Sequence, residues 1–169
     1  VILHSPLLKD SRLALLEQLR LPFILHGRTE HAEPVAYLDI DNFGAIKRAT
    51  SHLLDLGHRR IGMINGLAGR TFSEHRESGY LTAYAERGLT PREGLIGNGE
   101  FTDEIGFRIM QGFLESHEPP TAVLAGSMMS ALGAMRAIRL AGMQLGRDVS
   151  LIAHDDVFPY LNADNMVPP

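Results

Sequence analysis

Val123-Leu-Ala-Gly-Ser-Met-Met-Ser-Ala-Leu-Gly-Ala-Met-Arg-Ala-Ile138, followed by Gly146-Arg-Asp-Val-Ser-Leu-Ile-Ala-His-Asp-Asp156, decides how this chain folds. The opening apolar run is a strand, Ser127 caps a helix behind it, and Gly142 closes that helix. Val149–Ala153 is then a second strand, ending in Asp155 and Asp156. A strand feeding a helix that feeds another strand needs a right-handed crossover in a parallel sheet. Both strand ends then lie side by side on one edge, where open α/β sheets bind ligands. Ser127 and Asp155 are therefore candidates for one small-molecule site.

Outward from this unit the same alternation continues, the mark of parallel sheets covered on both faces. Strand Val1–His4 leads to a helix from about Asp10 to Arg20, apolar at Leu13, Leu16 and Leu19. Residues Pro22–Leu25 and Val35–Leu38 read as strands. Asp41 caps a long helix with Ile46, Ala49, Leu53 and Leu56 on one face, closed by Gly57. Ile61–Asn65 is a strand. Ser73 is expected to cap a helix running to Arg87, with Tyr80, Ala83 and Tyr84 turned inward. A short strand at Leu95–Gly97 precedes a helix capped by Thr102 that carries Ile105, Ile109 and Phe113.

Composition bounds the function classes. With 169 residues, 44% apolar, the chain can bury a core, and 21% charged residues is ordinary for a globular domain. A net charge of −4 argues against this segment carrying a broad phosphate-binding surface. Cysteine is absent, which removes disulfides and thiolate zinc sites. No apolar run approaches the ~20 residues that span a bilayer. The chain opens on an apolar strand without Met and closes on Val167-Pro-Pro169, so it reads as a fragment.

Two motifs carry no chemistry. Gly66-Leu-Ala-Gly69 follows a strand but lacks both GxGxxG spacing and a Gly-Lys-Ser/Thr triplet. His58-Arg59-Arg60 follows a helix end, where cations are favoured by the dipole, and a structural role is sufficient for it. Adjacent strand residues point to opposite faces, so Asp155 and Asp156 cannot easily share one substrate atom. No metal-ligand spacing accompanies them, and neither a cofactor, a metal nor a catalytic group is expected.

Arg76 admits two readings. It is either a solvated helix residue or a cation held at a helix start, where the dipole disfavours it and something else must compensate. Phe101 is either a staple against the helix after it or a stacking surface.

The stretch Asp41–Ile61, with its DN-x-G-A and L-x-x-L-G-H-R-x-I runs, the R-x-x-G-aromatic stretch Arg76–Tyr80, and Ala131–Asp156 together resemble the lac repressor (LacI/GalR) regulators. The resemblance implies an α/β fold of parallel open sheets in two lobes, periplasmic-binding-protein-like (type I), present as a fragment. Residues 1–39 would be part of the N-terminal lobe, 40–157 the C-terminal lobe and 158–169 the crossover back. Arg76 matches the arginine that grips sugar hydroxyls, and its forked donors suit vicinal hydroxyls. Asp155 matches the aspartate that accepts from the ligand, and Phe101 the aromatic that stacks on a sugar ring, with Phe72 near the same cleft. His4 and Ser127 fall at polar contact positions, although Met128 stands where the family has an acidic residue and Gly27 where it often has an aspartate.

The function implied is sugar-like effector binding within a cytoplasmic, dimeric regulator. Its operator contacts would belong to an N-terminal helix-turn-helix domain outside this chain, and no membrane is involved. The alternative of the same fold is a sugar-binding component of an ABC transporter. A flavodoxin-like enzyme would need a nucleophile elbow, a phosphate loop or a cofactor fingerprint, and the sequence has none of these.

Overall fold

The alternating pattern resolves into two parallel sheets in the computed structural model, which describes residues 1–30 and 34–155. The first sheet holds β1 (Ile2–His4), β2 (Ile24–His26) and β3 (Tyr37–Leu38), in that order. Helix α1 (Ser11–Gln18) lies between β1 and β2 in the chain, and the Asp10 carboxylate caps it by accepting from the Arg12 N–H. Leu3 and Leu25 are register partners and bury against Leu13 of α1, which makes a small core of its own.

The second sheet runs β5 (Ile96–Asn98), β4 (Ile61–Asn65), β6 (Ala122–Ala125), β7 (Ser150–Ala153). Every residue of β4 and β6 is buried, because helices cover both faces of these two central strands. On one face α2 (Asn42–Asp55) and α3 (Thr71–Ala85) pack Ile46, Leu53, Tyr80 and Tyr84 against Ile61, Met63 and Leu124. On the other, α4 (Asp103–Glu115) and α5 (Met128–Leu140) pack Met110, Phe113 and Ile138 against Ile64, Val123 and Val149. The helix pairs approach closely at glycines. A Cβ on Gly133 would stand 2.0 Å from the Asp103 carbonyl oxygen, and one on Gly79 2.3 Å from that of Phe43.

The caps at Asp41, Thr102 and Ser127 form as the sequence indicates, each side chain accepting from an N–H in the first turn. Ser73 does not cap its helix. That helix starts at Thr71, with Arg70 at the cap position and no side-chain cap bond. The Thr71 N–H instead donates to the Pro6 carbonyl at 3.1 Å, a partner 65 residues away that local sequence cannot reveal. Arg76 consequently sits in the second turn of α3 rather than the first, and the helix ends at Ala85 rather than Arg87.

The two sheets are joined by the connector Asp39–Asp41 and also by direct bonds. Leu8 N–H donates to Gly69 O at 3.4 Å, and Arg70 Nη1 to Ser5 O at 2.7 Å. Asp156 and the crossover expected at 158–169 lie outside the described residues. Among the described residues no helix is long and apolar enough to cross a membrane.

Candidate functional site

The loops at the C-terminal ends of the strands from both sheets meet around one side chain, Arg76. It is only 5% exposed although it carries a guanidinium. Its Nε donates to Asn42 Oδ1 at 2.8 Å and its Nη1 to the Gly126 carbonyl, just past β6, at 2.8 Å. The rings of Phe72 and Phe101 flank it, with centroids 5.3 and 5.6 Å from its Cζ. A guanidinium offers five N–H donors, so the groups not spent on Asn42 and Gly126 remain to serve a ligand.

Burial pulls the Arg76 pKa down to about 10, against the raising effect of Asp155 and Asp39. It is still a cation at neutral pH. A buried cation without a directly bonded carboxylate is costly to the fold, so the position is better suited to binding than to stability.

Asn42 is 3% exposed and relays this arrangement back to the connector. Its Nδ2 donates to Asp39 Oδ1 and to Ile40 O, each at 3.3 Å. The Asp39 carboxylate also pairs with Arg28 Nε at 3.2 Å, and Arg28 lies over the Tyr37 ring. Asp39, Asn42 and Arg76 thus form one polar line from the first sheet into α3.

A cavity of about 220 Å³ opens at this line. Ser5, His26, Gly27 and Asp39 reach it from the side of the first sheet, and Asn42, Phe72, Arg76 and Phe101 from the side of the second. Its wall combines a cation, a carboxylate, an amide, an imidazole and two aromatic faces. Such a mixture can hydrogen-bond hydroxyl groups while covering an apolar ring face.

Arg76, Phe72 and Phe101 are brought together here. The other expected contacts stand nearby with different partners. Asp155 lies close enough to act on the Arg76 charge, yet it lines a neighbouring cavity of about 270 Å³ with Arg48, Ile152 and His154. Its Oδ1 accepts from Met128 N–H at the start of α5, at 3.4 Å. Asp155 also holds φ at 64°, a left-handed conformation uncommon outside glycine and often kept at functional sites. Ser127 is buried, and its hydroxyl accepts from Ser130 N–H at 3.1 Å as the cap of α5. His4 is exposed at the end of β1, and its Nδ1 meets Nδ1 of His26 at 2.9 Å, a bond that requires one of the two rings to be a neutral acceptor.

His26, Asp39 and Asn42, together with Ser5, Gly27 and Ile40, line the cavity without being among the sequence candidates. For Asp39 and Asn42 the available signal is the largely polar stretch Asp39–Asn42 between a strand and a helix, where a connector is expected but no contact; His26 has no such signal. Among the described residues no group of three or more His, Cys, Asp or Glu is placed to hold a metal ion.

Residues 50–164 match the periplasmic binding protein-like domain. The chain is 46% identical over 161 residues to the HTH-type transcriptional regulator AglR of Rhizobium meliloti (strain 1021), covering 95% of this chain and 45% of that protein. It is 33% identical to the HTH-type transcriptional regulator CelR of Thermobifida fusca, covering 84% of this chain and 42% of that protein. It therefore spans less than half the length of these two relatives. Among solved structures, a regulatory protein of the LacI family from Chloroflexus aggregans superposes with a TM-score of 0.81 at 31% identity, over 92% of this chain and 56% of that one. A transcriptional regulator CelR–cellobiose complex gives a TM-score of 0.85 at 33% identity, over 92% and 48%.

Proposed function

Because the chain belongs to the periplasmic-binding-protein-like domain family, in the form carried by LacI-type transcriptional regulators, we propose that it is the effector-binding core of such a regulator and takes a sugar or polyol beside Arg76. The observation that carries this is the buried Arg76, held by Asn42 and Gly126 between two phenyl rings with N–H groups to spare. The relative bound to cellobiose supports a sugar as the ligand class. Asp155, His26 and Asp39 are proposed as acceptors for hydroxyls, and Phe72 and Phe101 as the surface for the apolar ring face.

The mechanism is a population shift. Residues 1–39 act as part of one lobe and the described residues from 40 onward as the other. A ligand touching Ser5, His26 and Asp39 on one side and Arg76 on the other stabilises the arrangement in which the two sides are close. It shifts the equilibrium by its differential affinity for that arrangement. A two-fold dimer transmits the change to an operator through a helix-turn-helix domain outside this chain. The protein works in the cytoplasm and binds its effector without chemical conversion. The relatives named above are regulators, and the reading as a transporter component draws no support from them.

The test is fluorescence anisotropy of promoter DNA with the full-length protein, with and without a panel of sugars. A binding sugar should change DNA affinity by about 5- to 150-fold, the usual span of allosteric coupling. A sugar that binds the protein and leaves DNA affinity unchanged would contradict the regulator reading.

A further inference from the structure

Two strands of the first sheet end in histidine. β1 and β2 are parallel and in register, so His4 stands beside His26 and their side chains leave the sheet on one face. Both residues are exposed, and Nδ1 of one ring lies 2.9 Å from Nδ1 of the other. The ring centroids are 4.9 Å apart and the planes are nearly perpendicular, at 88°. The rings therefore meet nitrogen to nitrogen and do not stack face to face.

The backbone fixes the pair. Each histidine is followed by a residue in the left-handed region, Ser5 at φ 47° and Gly27 at φ 115°. For a residue other than glycine this conformation is uncommon, and it persists where the surroundings impose it, often at functional sites. The Ser5 N–H donates to His26 O at 3.1 Å, and the Gly27 N–H to Leu38 O at 2.8 Å. A Cβ on Gly27 would stand 2.8 Å from Pro6 Cδ, so the two turns press against each other. Both imidazoles are thus presented at one level by backbone that is already ordered.

A hydrogen bond between two exposed rings contributes little, because water can replace either partner. The spacing suits a metal ion. A metal–imidazole bond is about 2.0–2.1 Å long, and two such bonds at a right angle set their nitrogens about 2.9 Å apart. A tetrahedral ion would hold them roughly 0.4 Å further apart. We infer that His4 and His26 form a chelating site for a divalent transition ion of tetragonal preference, Cu²⁺ or Ni²⁺, with both Nδ1 atoms as ligands and water in the other positions. The proton between the rings moves to Nε2 of the ring that carried it, so a neutral pair takes up the ion without releasing a proton. Rotation about χ2, open to exposed rings, turns both lone pairs onto the ion. His26 also lines the cavity beside Arg76, so the ion sits at the rim of that cavity. The site does not depend on the sugar reading.

Calorimetric titration of Cu²⁺, and separately of Ni²⁺, into tag-free full-length protein in a non-coordinating buffer tests this. Cu²⁺ should bind tighter than Ni²⁺. The second imidazole is an intramolecular ligand, so His4→Gln and His26→Gln should each weaken that binding by about a hundredfold or more. His117→Gln, at an exposed histidine elsewhere, should leave it unchanged. Electron paramagnetic resonance of the wild type at one equivalent of Cu²⁺ should show two equatorial nitrogens, a reading that does not rest on the variants folding. Fewer than two nitrogens in the wild type overturns the inference. So does an affinity unmoved in both His4→Gln and His26→Gln, or one lost equally in His117→Gln.

Discussion

Arg76 Nε donates to Asn42 Oδ1 at 2.8 Å, and Asn42 is the first residue of the helix that follows the connector between the sheets. The cation of the cleft is therefore held by the same residue that, through Asp39, fixes the connector. On the mechanism proposed above, a ligand that pulls on the guanidinium would act directly on the segment that joins the two sheets. This link is short, buried and polar, and its parts can be removed one at a time.

Asn42→Ala should leave the Arg76 Nε–H buried with no acceptor. Such an orphaned group costs about 1–3 kcal/mol, and more when it is charged. Urea unfolding should show a lower midpoint at an unchanged slope, together with weakened effector binding. An unchanged midpoint would mean that the bond contributes nothing to the fold.

Gly133→Ala should destabilise by helix displacement alone. Its new methyl would stand 2.0 Å from the Asp103 carbonyl oxygen and 2.5 Å from Phe107 N, which are backbone atoms of α4 that cannot swing away. Overpacking of this kind costs about 1–3 kcal/mol, occasionally more. Thermal unfolding should register it. Gly112, with open space around it, is the control, where alanine should be neutral or mildly stabilising.

Acid should destabilise the fold through His154. Burial, and then the nearby Arg76 charge, push its pKa below the ordinary 6.5, while Asp155 opposes them. The unfolded chain thus binds more protons than the folded one below that value. The contribution is fully present above pH 6.5 and is lost as pH falls through the depressed folded value. His58 is lowered by burial and adds the same sign. His154→Gln should flatten the slope of stability against pH below 6.5. A slope unchanged in both His154→Gln and the corresponding His58 variant would contradict the account.

The sheets were legible because periodicity and capping are local. The Asp41, Thr102 and Ser127 caps and the fully buried β4 and β6 follow from residues a few positions apart. Ser73 misled because what satisfies the start of α3 is Pro6, far away in sequence, so a serine in the first turn is not needed as a cap. Ser73 Oγ is in fact buried there with no hydrogen-bond partner. At the site, Arg76, Phe72 and Phe101 stood out through family likeness, and the geometry groups them. Asp39, Asn42 and His26 did not stand out, because their role comes from the meeting of two sheets and not from any spacing. Ser127 shows the converse. Its capping bond is visible in sequence and forms in the fold, with Ser127 Oγ accepting from Ser130 N–H.

The most direct test of the central claim is calorimetric titration of the sugar panel against full-length protein and its Arg76→Ala and Asp155→Asn variants. Hydrogen bonds from a charged group contribute about 1.5–3 kcal/mol each, so Arg76→Ala should weaken the binding sugar by roughly tenfold to a hundredfold or more. Arg76→Lys should fail to restore affinity, because a single ammonium cannot reproduce the fork that reaches Asn42, Gly126 and the ligand together. Asp155→Asn should weaken binding as well, and the two losses should not add, since both groups act on one ligand and on each other's charge. A sugar that binds wild type, Arg76→Ala and Asp155→Asn with equal affinity would contradict the assignment of this cleft.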